Sequence, residues 1–138
     1  MEPWTQIGKH LLRIEQDVVF IRVKGEITAP EIVALLDRLV LIDRQYGRVF
    51  EIVDAREAGP ITAATRHENA QWYRNNRLNA DLVVYNASLV VRTVFTLFMN
   101  ALRLFDKADV NMHFVATEAE AVAWVAERRK KLKAATAR

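Results

Sequence analysis

The chain has 138 residues, 51% hydrophobic and 27% charged, with four glycines and three prolines, which predicts one folded domain and excludes a disordered or collagen-like chain. Cysteine is absent, which excludes disulfides, thiolate metal sites and thiol nucleophiles and favours a cytoplasmic location. The formal charge of +3 is concentrated in residues 127–138, which carry six cations and one anion, so the remaining residues have a net charge of −2. We therefore predict a single domain over residues 1–138, with a core at 9–126, a basic tail at 127–138 and no specific nucleic-acid binding.

No stretch of the sequence predicts a signal peptide or a membrane-spanning helix. The longest apolar stretch, Leu89–Phe105, is interrupted by Arg92, Asn100 and Arg103. Three polar side chains within so short a stretch are not expected in the apolar interior of a bilayer. No transmembrane segment is therefore expected.

The first part of the chain predicts a β-hairpin followed by a helix. His10–Glu15 and Val18–Lys24 are short runs rich in valine, isoleucine and phenylalanine, separated by two polar residues. Thr28 and Glu31 have the spacing of a capping box, in which each side chain accepts a hydrogen bond from the other residue's backbone amide. Apolar residues then recur at helical spacing until Gly47, which is placed to end the helix.

Strands and helices alternate through the rest of the chain. Strands are predicted at Arg48–Asp54, Asp81–Tyr85 and Val110–Ala116, and helices at Thr62–Arg77, at Ser88–Phe105 and from a second capping box at Thr117 and Glu120 into the basic tail. The element order is β-β-α-β-α-β-α-β-α. It predicts an α/β fold with one mixed, mostly parallel five-stranded sheet flanked by four helices.

Polar residues follow the predicted parallel strands, where ligands of such sheets usually bind. Asp54 and Arg56 end the first of these strands, and Asn86 and Ser88 end the next. One interpretation is that these residues are helix caps and a surface ion pair. The other is a polar pocket or regulatory face with Asp54 as its anchor.

The sequence shows no catalytic constellation. Ser88 is the only serine and lacks the glycines of a nucleophile elbow. The three histidines, His10, His67 and His113, fall in separate elements without metal-binding spacing, and we expect His113 to be buried or paired across strands. Glycine-rich phosphate loops are also absent. We therefore predict no catalytic residue, no metal site and no cofactor.

The helix predicted at Ser88–Phe105 is apolar over most of its circumference. A helix that packs on one side needs an apolar arc of roughly 100°, and this arc is far wider. The excess is open to three explanations: a homodimer interface, burial within the same chain, or a site for an apolar, lipid-like ligand. The residues assigned to this surface are Val94, Leu97, Phe98 and Ala101.

The helix predicted at Thr62–Arg77 carries an aromatic residue on a polar face. Trp72 lies about 100° from the thin apolar face and is flanked by Arg66 and Arg74. Tryptophan and arginine are enriched in binding hot spots, so Trp72 is a candidate contact for a protein partner. The alternative is that it covers the adjacent loop.

Three segments carry a resemblance to a known family. RVFEIVDAR at Arg48–Arg56, LVVYNASLVVRTVFTLF at Leu82–Phe98 and HFVATEAEAVAWV at His113–Val125, together with the element order, resemble STAS-type domains, in particular the SpoIIAA-like (anti-sigma-factor-antagonist-like) family. The likeness covers nearly the whole chain and specifies a fold without a catalytic signature.

The resemblance implies a non-enzymatic cytoplasmic regulatory module that binds a partner protein or a small ligand; the alternative function is a carrier or sensor of an apolar ligand. In the antagonist branch of the family, a serine in an Asp-Ser-Ser-Gly stretch before the corresponding helix is phosphorylated. Here that place reads Gly59-Pro60-Ile61-Thr62, so Thr62 is the nearest hydroxyl. The residues assigned to ligand or partner binding are Asp54, Arg56, Thr62, Arg66, Trp72 and Asn86.

Overall fold

The computed structural model describes residues 3–102 and 109–137. Six strands and four helices follow one another as β1 Thr5–Ile7, β2 His10–Glu15, β3 Val18–Gly25, α1 Ala29–Tyr46, β4 Val49–Ala58, α2 Ala63–Asn75, β5 Asn79–Tyr85, α3 Leu89–Leu102, β6 Asp109–Phe114 and α4 Glu118–Thr136. The strands form one sheet in the order β1-β2-β3-β4-β5-β6. The first two pairings are antiparallel and the other three are parallel, so the predicted mixed, mostly parallel α/β fold is confirmed.

The predicted strand count of five is wrong, because β1 was missed. β1 has three residues, and its Thr5 and Gln6 are exposed. So short and polar a segment lacks the four to eight alternating residues that identify a strand in a sequence. It is held as an edge strand by antiparallel pairing with β2.

The sheet has two faces with different coverings, because successive side chains of a strand point to opposite sides. The three-helix face is covered by α1, α2 and α3, and its core includes Val19 and Ile21 from β3 with Val49 and Val53 from β4. The α4 face is covered by α4, with a second core of Phe20, Phe50, Ile52, Val83, Tyr85, Ala121 and Val125.

Local signals in the sequence set the ends of the helices. The capping box of Thr28 and Glu31 at the start of α1 is confirmed, and Gly47 ends α1 at a φ of 86°. At the start of α4, the Thr117 hydroxyl accepts the Glu120 amide. The Glu120 carboxylate, however, accepts the amide of Ala116, so this second box is only half formed.

The basic tail is part of the domain, because α4 continues to Thr136. Arg128 donates to Asp81 at 3.3 Å and Arg129 donates to Asp17 at 2.6 Å, so two tail cations hold the helix against the sheet. Leu132 packs against the core of the α4 face. The expectation that the core ends at residue 126 and the helix passes into a separate tail is therefore wrong.

Candidate functional site

The carboxyl end of β5 and the second half of β4 bring the predicted polar residues together; β4 continues to Ala58, so the predicted end of this strand at Asp54 is wrong and Asp54 and Arg56 lie within it. Asp54 lies opposite Tyr85 in the parallel pairing of the two strands, and Asn86 follows directly with a φ of 60°. The Asn86 side-chain amide donates to the Asp54 carboxylate at 3.2 Å. The same carboxylate oxygen accepts the backbone amide of Arg56 at 3.0 Å. Asp54, Arg56 and Asn86 thus form one group, the strand-end cluster, as the sequence predicted.

Tyr85 belongs to the electrostatic surroundings of the strand-end cluster, although the sequence analysis did not single it out. Burial, followed by the negative charges of Asp54 and Glu118, raises the pKa of the Tyr85 phenol to about 12, against the opposing effect of Arg22 and Arg56. The phenol therefore stays protonated at neutral pH and can act as a hydrogen-bond donor. Its position as the last residue of a buried strand, directly before Asn86, is the signal that could have found it.

The start of α2 holds Thr62 and Arg66 in structural roles. Thr62 is the N-cap, as expected from its hydroxyl, and accepts the Thr65 amide at 3.3 Å. The Thr65 hydroxyl donates to the carbonyl of Ile27 at 2.8 Å, and the Arg66 guanidinium donates to the carbonyl of Ile61 at 2.6 Å. Within residues 3–102 and 109–137, no hydrogen bond or ion pair joins this group to the strand-end cluster.

Trp72 is buried, so the prediction that it presents an exposed surface to a partner is wrong. Its side chain is 6% exposed, and its indole N–H donates to the Asp37 carboxylate of α1 at 2.9 Å. Thr65 and Asn69, from the face that looked polar, are also buried. The polar-looking face of α2 is therefore its inner face: Trp72 bonds to Asp37 of α1, Thr65 bonds to Ile27 just before α1, and Asn69 lines the cavity described below.

The wide apolar arc of α3 divides into a buried and an exposed part. Phe95, Met99 and Leu102 are buried, whereas Leu97 is 65% exposed. Of the other residues assigned to this surface, Val94 and Phe98 are partly buried and Ala101 is exposed. Arg103 and Phe105, which the sequence placed in the same helix, lie outside the described residues. Burial within the same chain thus explains only one side of α3.

A cavity of about 90 Å³ lies between the three-helix face of the sheet and helices α1, α2 and α3. Most of its lining is apolar, including Ile21 and Val53 from the sheet, Leu36 from α1 and Phe95 and Met99 from α3. Four polar residues also line it: Glu51, Thr65, Asn69 and Tyr73. No lysine, arginine or histidine is among the described residues that form its wall.

Glu51 is the most unusual residue of this cavity. It is the third residue of β4, lies on the three-helix face and is 7% exposed. Burial alone raises the pKa of the Glu51 carboxyl to about 8, so the group is mostly uncharged at pH 7. Burial, followed by the charge of Glu51, raises the pKa of the Tyr73 phenol above its usual range. The sequence analysis missed Glu51, although a single charged residue within the apolar run VFEIV was a visible signal.

The predictions for His113, for metal sites and for membrane-spanning helices can be compared with the structure directly. His113 is exposed and stacks on Trp124 with ring centroids 5.3 Å apart, so the expectation that it is buried or paired across strands is wrong. In the part of the chain that the structure describes, no three metal-ligating side chains come together. No helix there combines the length and the apolar character needed to cross a membrane.

The arrangement of strands and helices can be compared with known proteins. No family model matches the sequence, and no curated protein matches it. Among solved structures, that of the anti-sigma factor antagonist SpoIIAA in its unphosphorylated form superposes with a TM-score of 0.52 and 18% identity, over 84% of this chain and 96% of that one. The fold is that of SpoIIAA. The resemblance drawn from the three sequence segments is therefore confirmed for the fold.

The SpoIIAA-like fold gives the two sites their positions. The strand-end cluster lies at the carboxyl edge of the parallel strands, and the cavity lies between the sheet and the three helices on one face. The start of α2, with Thr62, follows β4. At 18% identity the superposition shows a shared fold, and the roles of these residues rest on their own geometry.

Proposed function

We propose that this chain is a STAS-like regulatory domain that acts by binding and not by catalysis, and that its signal is a small apolar ligand held in the cavity beside α3. The fold supports the regulatory part of the proposal, since the structure that it resembles belongs to an anti-sigma factor antagonist. The cavity supports the ligand part of the proposal, because four buried polar side chains line an otherwise apolar space. Such a combination is typical of small-molecule sites.

The strand-end cluster supports a second contact, with a protein partner in the cytoplasm. Asp54, Arg56 and Asn86 present a carboxylate, a guanidinium and an amide at one edge of the sheet, with Arg56 exposed. The Asp54 carboxylate accepts hydrogen bonds from the Asn86 side chain and from the Arg56 backbone, which holds these groups in a fixed arrangement suited to recognition of a partner. Thr62 and Arg66 contribute to this region by fixing the start of α2.

The ligand proposal can be tested with the full chain as isolated from cells. Native mass spectrometry should show a bound small molecule, and amide NMR spectra should change around the cavity when that molecule is removed and restored. Leu82→Phe, which adds volume to the cavity wall, should abolish binding. Leu97→Phe, on the exposed side of α3, is the matched control and should retain it. Equal binding by both variants would reject the cavity as the site.

The exposed side of α3 favours self-association as a further property of the same domain. Leu89, Val90 and Leu97 are all more than half exposed and lie on the side of α3 opposite its buried residues, with Thr93 between them. We propose that a second copy of the chain covers this surface in a homodimer. Leu97→Asp should halve the mass measured by light scattering, whereas Leu41→Asp, at a similarly exposed leucine of α1, should not. A monomeric wild-type protein would reject the dimer.

This arrangement makes a carrier of long lipids the less favoured alternative. A cavity of about 90 Å³ is smaller than the roughly 150 Å³ apolar cavity that accommodates benzene. A long chain could enter only if α3 moved away from the sheet. A sensor of a small molecule requires no such movement, and the size of the molecule found by mass spectrometry distinguishes the two functions.

A further inference from the structure

An uncharged polar residue or an apolar one would be the ordinary choice at the position of Glu51. Its neighbours on the same face of β4 are Val49 and Val53, both buried in the core. Burying a carboxyl group without a partner costs free energy even when the group is protonated, since it loses its hydrogen bonds to water. The carboxyl group of Glu51 therefore needs a hydrogen-bond partner in the cavity that it lines.

Three of the polar side chains that line the cavity have unused hydrogen-bonding capacity. Glu51 from β4 and Asn69 and Tyr73 from α2 are each more than 90% buried, and all three line the cavity. None of these three side chains makes a hydrogen bond to any residue in the described part of the chain. Thr65 differs, because its hydroxyl is already paired with the carbonyl of Ile27.

The chemistry of these groups defines what they can bind. A protonated carboxyl offers one donor and an acceptor, the Asn69 amide offers two donors and an acceptor, and the Tyr73 phenol offers a donor and an acceptor. A hydroxyl or amide group placed among them would find partners for each of its own donors and acceptors. This matters because a buried polar group without a partner is costly.

Charge excludes the other common polar groups. An anionic group would lie beside Glu51, with no cation among the described residues of the cavity wall to offset its charge. A cationic group would require Glu51 to ionise and would bury an ion pair in an apolar space, where desolvation offsets much of the attraction. An uncharged group avoids both costs.

We propose that Glu51, Asn69 and Tyr73 bind the uncharged hydroxyl or amide end of a short apolar molecule whose chain fills the rest of the cavity. This inference rests on the proposed function, because it specifies the ligand of the same cavity. The volume of the cavity limits the whole ligand, head group included, to about four or five non-hydrogen atoms.

Four probes of similar size separate the possible head groups. We would titrate the full chain at pH 7 with 1-butanol, 1-chlorobutane, butylammonium and butanoate and follow the amide signals of the cavity residues by NMR. The wild-type protein should bind 1-butanol, and butylammonium and butanoate should bind at least tenfold more weakly than 1-butanol. Tighter binding of either charged probe would overturn the proposal.

Variants of Glu51 test the hydrogen bond directly. The measured quantity is the ratio of the dissociation constants of 1-butanol and 1-chlorobutane, which corrects for changes in cavity size. Glu51→Leu should raise this ratio about tenfold, because the hydroxyl loses its partner. Glu51→Gln, which keeps a donor and an acceptor, should leave it within about threefold of the wild type.

Two further variants make the result specific. Tyr73→Phe, which removes only the phenolic hydroxyl, should raise the ratio several-fold without altering the apolar wall. Glu57→Leu removes an exposed carboxylate from the same strand and should leave the ratio unchanged. An equal response of Glu51→Leu and Glu57→Leu would overturn the proposal.

The outcomes separate this inference from the function on which it rests. If 1-chlorobutane binds in the cavity but the ratio is the same in the wild type and Glu51→Leu, the cavity is a ligand site and the hydroxyl recognition is wrong. If no probe shifts the cavity signals, both the apolar-ligand function and this inference are rejected.

Discussion

The two faces of the sheet each bury a carboxylate, and they treat it in opposite ways. On the α4 face, Asp81 is fully buried and receives hydrogen bonds from Arg48 at 3.0 Å and from Arg128 at 3.3 Å. Arg48 also pairs with Asp109 at the edge of the sheet. On the three-helix face, Glu51 is buried without a hydrogen-bond partner among the described residues, is mostly uncharged at pH 7 and lines a cavity. The charged carboxylate of Asp81 holds elements of the fold together, whereas the protonated carboxyl of Glu51 keeps its hydrogen-bonding capacity.

The ion pairs of Asp81 also explain why the basic tail is ordered as a helix. Arg128 reaches Asp81 and Arg129 reaches Asp17, so these two tail cations are used within the domain. A long basic helix at the end of a chain would otherwise suggest an acidic partner. The charged groups on the α4 face thus stabilise the fold, whereas the polar groups of the cavity on the three-helix face remain available for binding.

The largest expected effect comes from removing the paired carboxylate. Asp81→Ala leaves Arg48 and Arg128 without their common partner, and we expect a loss of about 4 kcal/mol in the free energy of unfolding, measured by urea denaturation. Asp109→Ala removes only the exposed partner of Arg48 and should cost less than about 1 kcal/mol. Similar losses for both variants would contradict the structural role of Asp81.

Replacing Glu51, the carboxyl group without a partner among the described residues, is expected to raise the free energy of unfolding, and the size of this gain depends on pH. The pKa of Glu51 is about 8 in the folded protein and close to the ordinary value of 4.5 in the unfolded chain, so between these values the folded state holds a proton that the unfolded state has lost. The stability of the wild type should therefore fall as the pH rises from about 5 to about 8 and level off above that range.

Glu51→Gln isolates this effect because it cannot ionise. The gain in stability of Glu51→Gln relative to the wild type should increase by about 3 kcal/mol between pH 5 and pH 8. Tyr73 is the other titratable group of the described cavity wall, and it stays protonated throughout this range because its pKa is raised. Urea denaturation of both proteins at several pH values measures the difference, and a pH-independent difference would show that the carboxyl of Glu51 is not buried in the folded state.

The indole of Trp72 offers a smaller test of how α2 packs. Trp72→Phe removes the hydrogen bond to Asp37 and part of the buried ring, and we expect a loss of about 2 kcal/mol in the free energy of unfolding. A double-mutant cycle with Asp37→Ala should give a coupling of about 1 kcal/mol, because the two variants remove the same hydrogen bond. A coupling near zero would show that the indole does not contact α1 in solution.

The sequence predicts those parts of the molecule that depend on neighbours along the chain. The capping box at Thr28 and Glu31 and the glycine end at Gly47 are local patterns, and both are confirmed. The meeting of Asp54 and Asn86 follows from the parallel pairing of β4 with β5, in which Asp54 lies opposite the last residue of β5. In each case the interacting residues are fixed by spacing or by strand order.

The features that the sequence did not predict depend on contacts between distant elements. The inner face of α2 includes Thr65, Asn69 and Trp72, which helical periodicity assigns to a polar surface. Thr65 can be buried because it bonds to Ile27, and Trp72 because it bonds to Asp37; neither partner lies in α2. The order of the basic tail likewise depends on carboxylates far away in the chain. Polar residues are misassigned when their partners are contributed by another element.

The smallest expected effect concerns Thr62, whose hydroxyl connects the start of α2 to the cavity wall. Thr62→Ala removes the cap of α2 and the contact between the two hydroxyls of Thr62 and Thr65, and we expect a loss of about 1 kcal/mol in the free energy of unfolding. Thr62→Ser keeps the hydroxyl and should retain most of the stability. Because the hydrogen bond from Thr65 to Ile27 is expected to persist in both variants, the affinity of the cavity for 1-butanol should not change. A change in that affinity would show that Thr65 also contributes to the ligand site. Thr65 would then belong with Glu51, Asn69 and Tyr73 among the groups that bind the ligand, although its hydroxyl is already paired with Ile27.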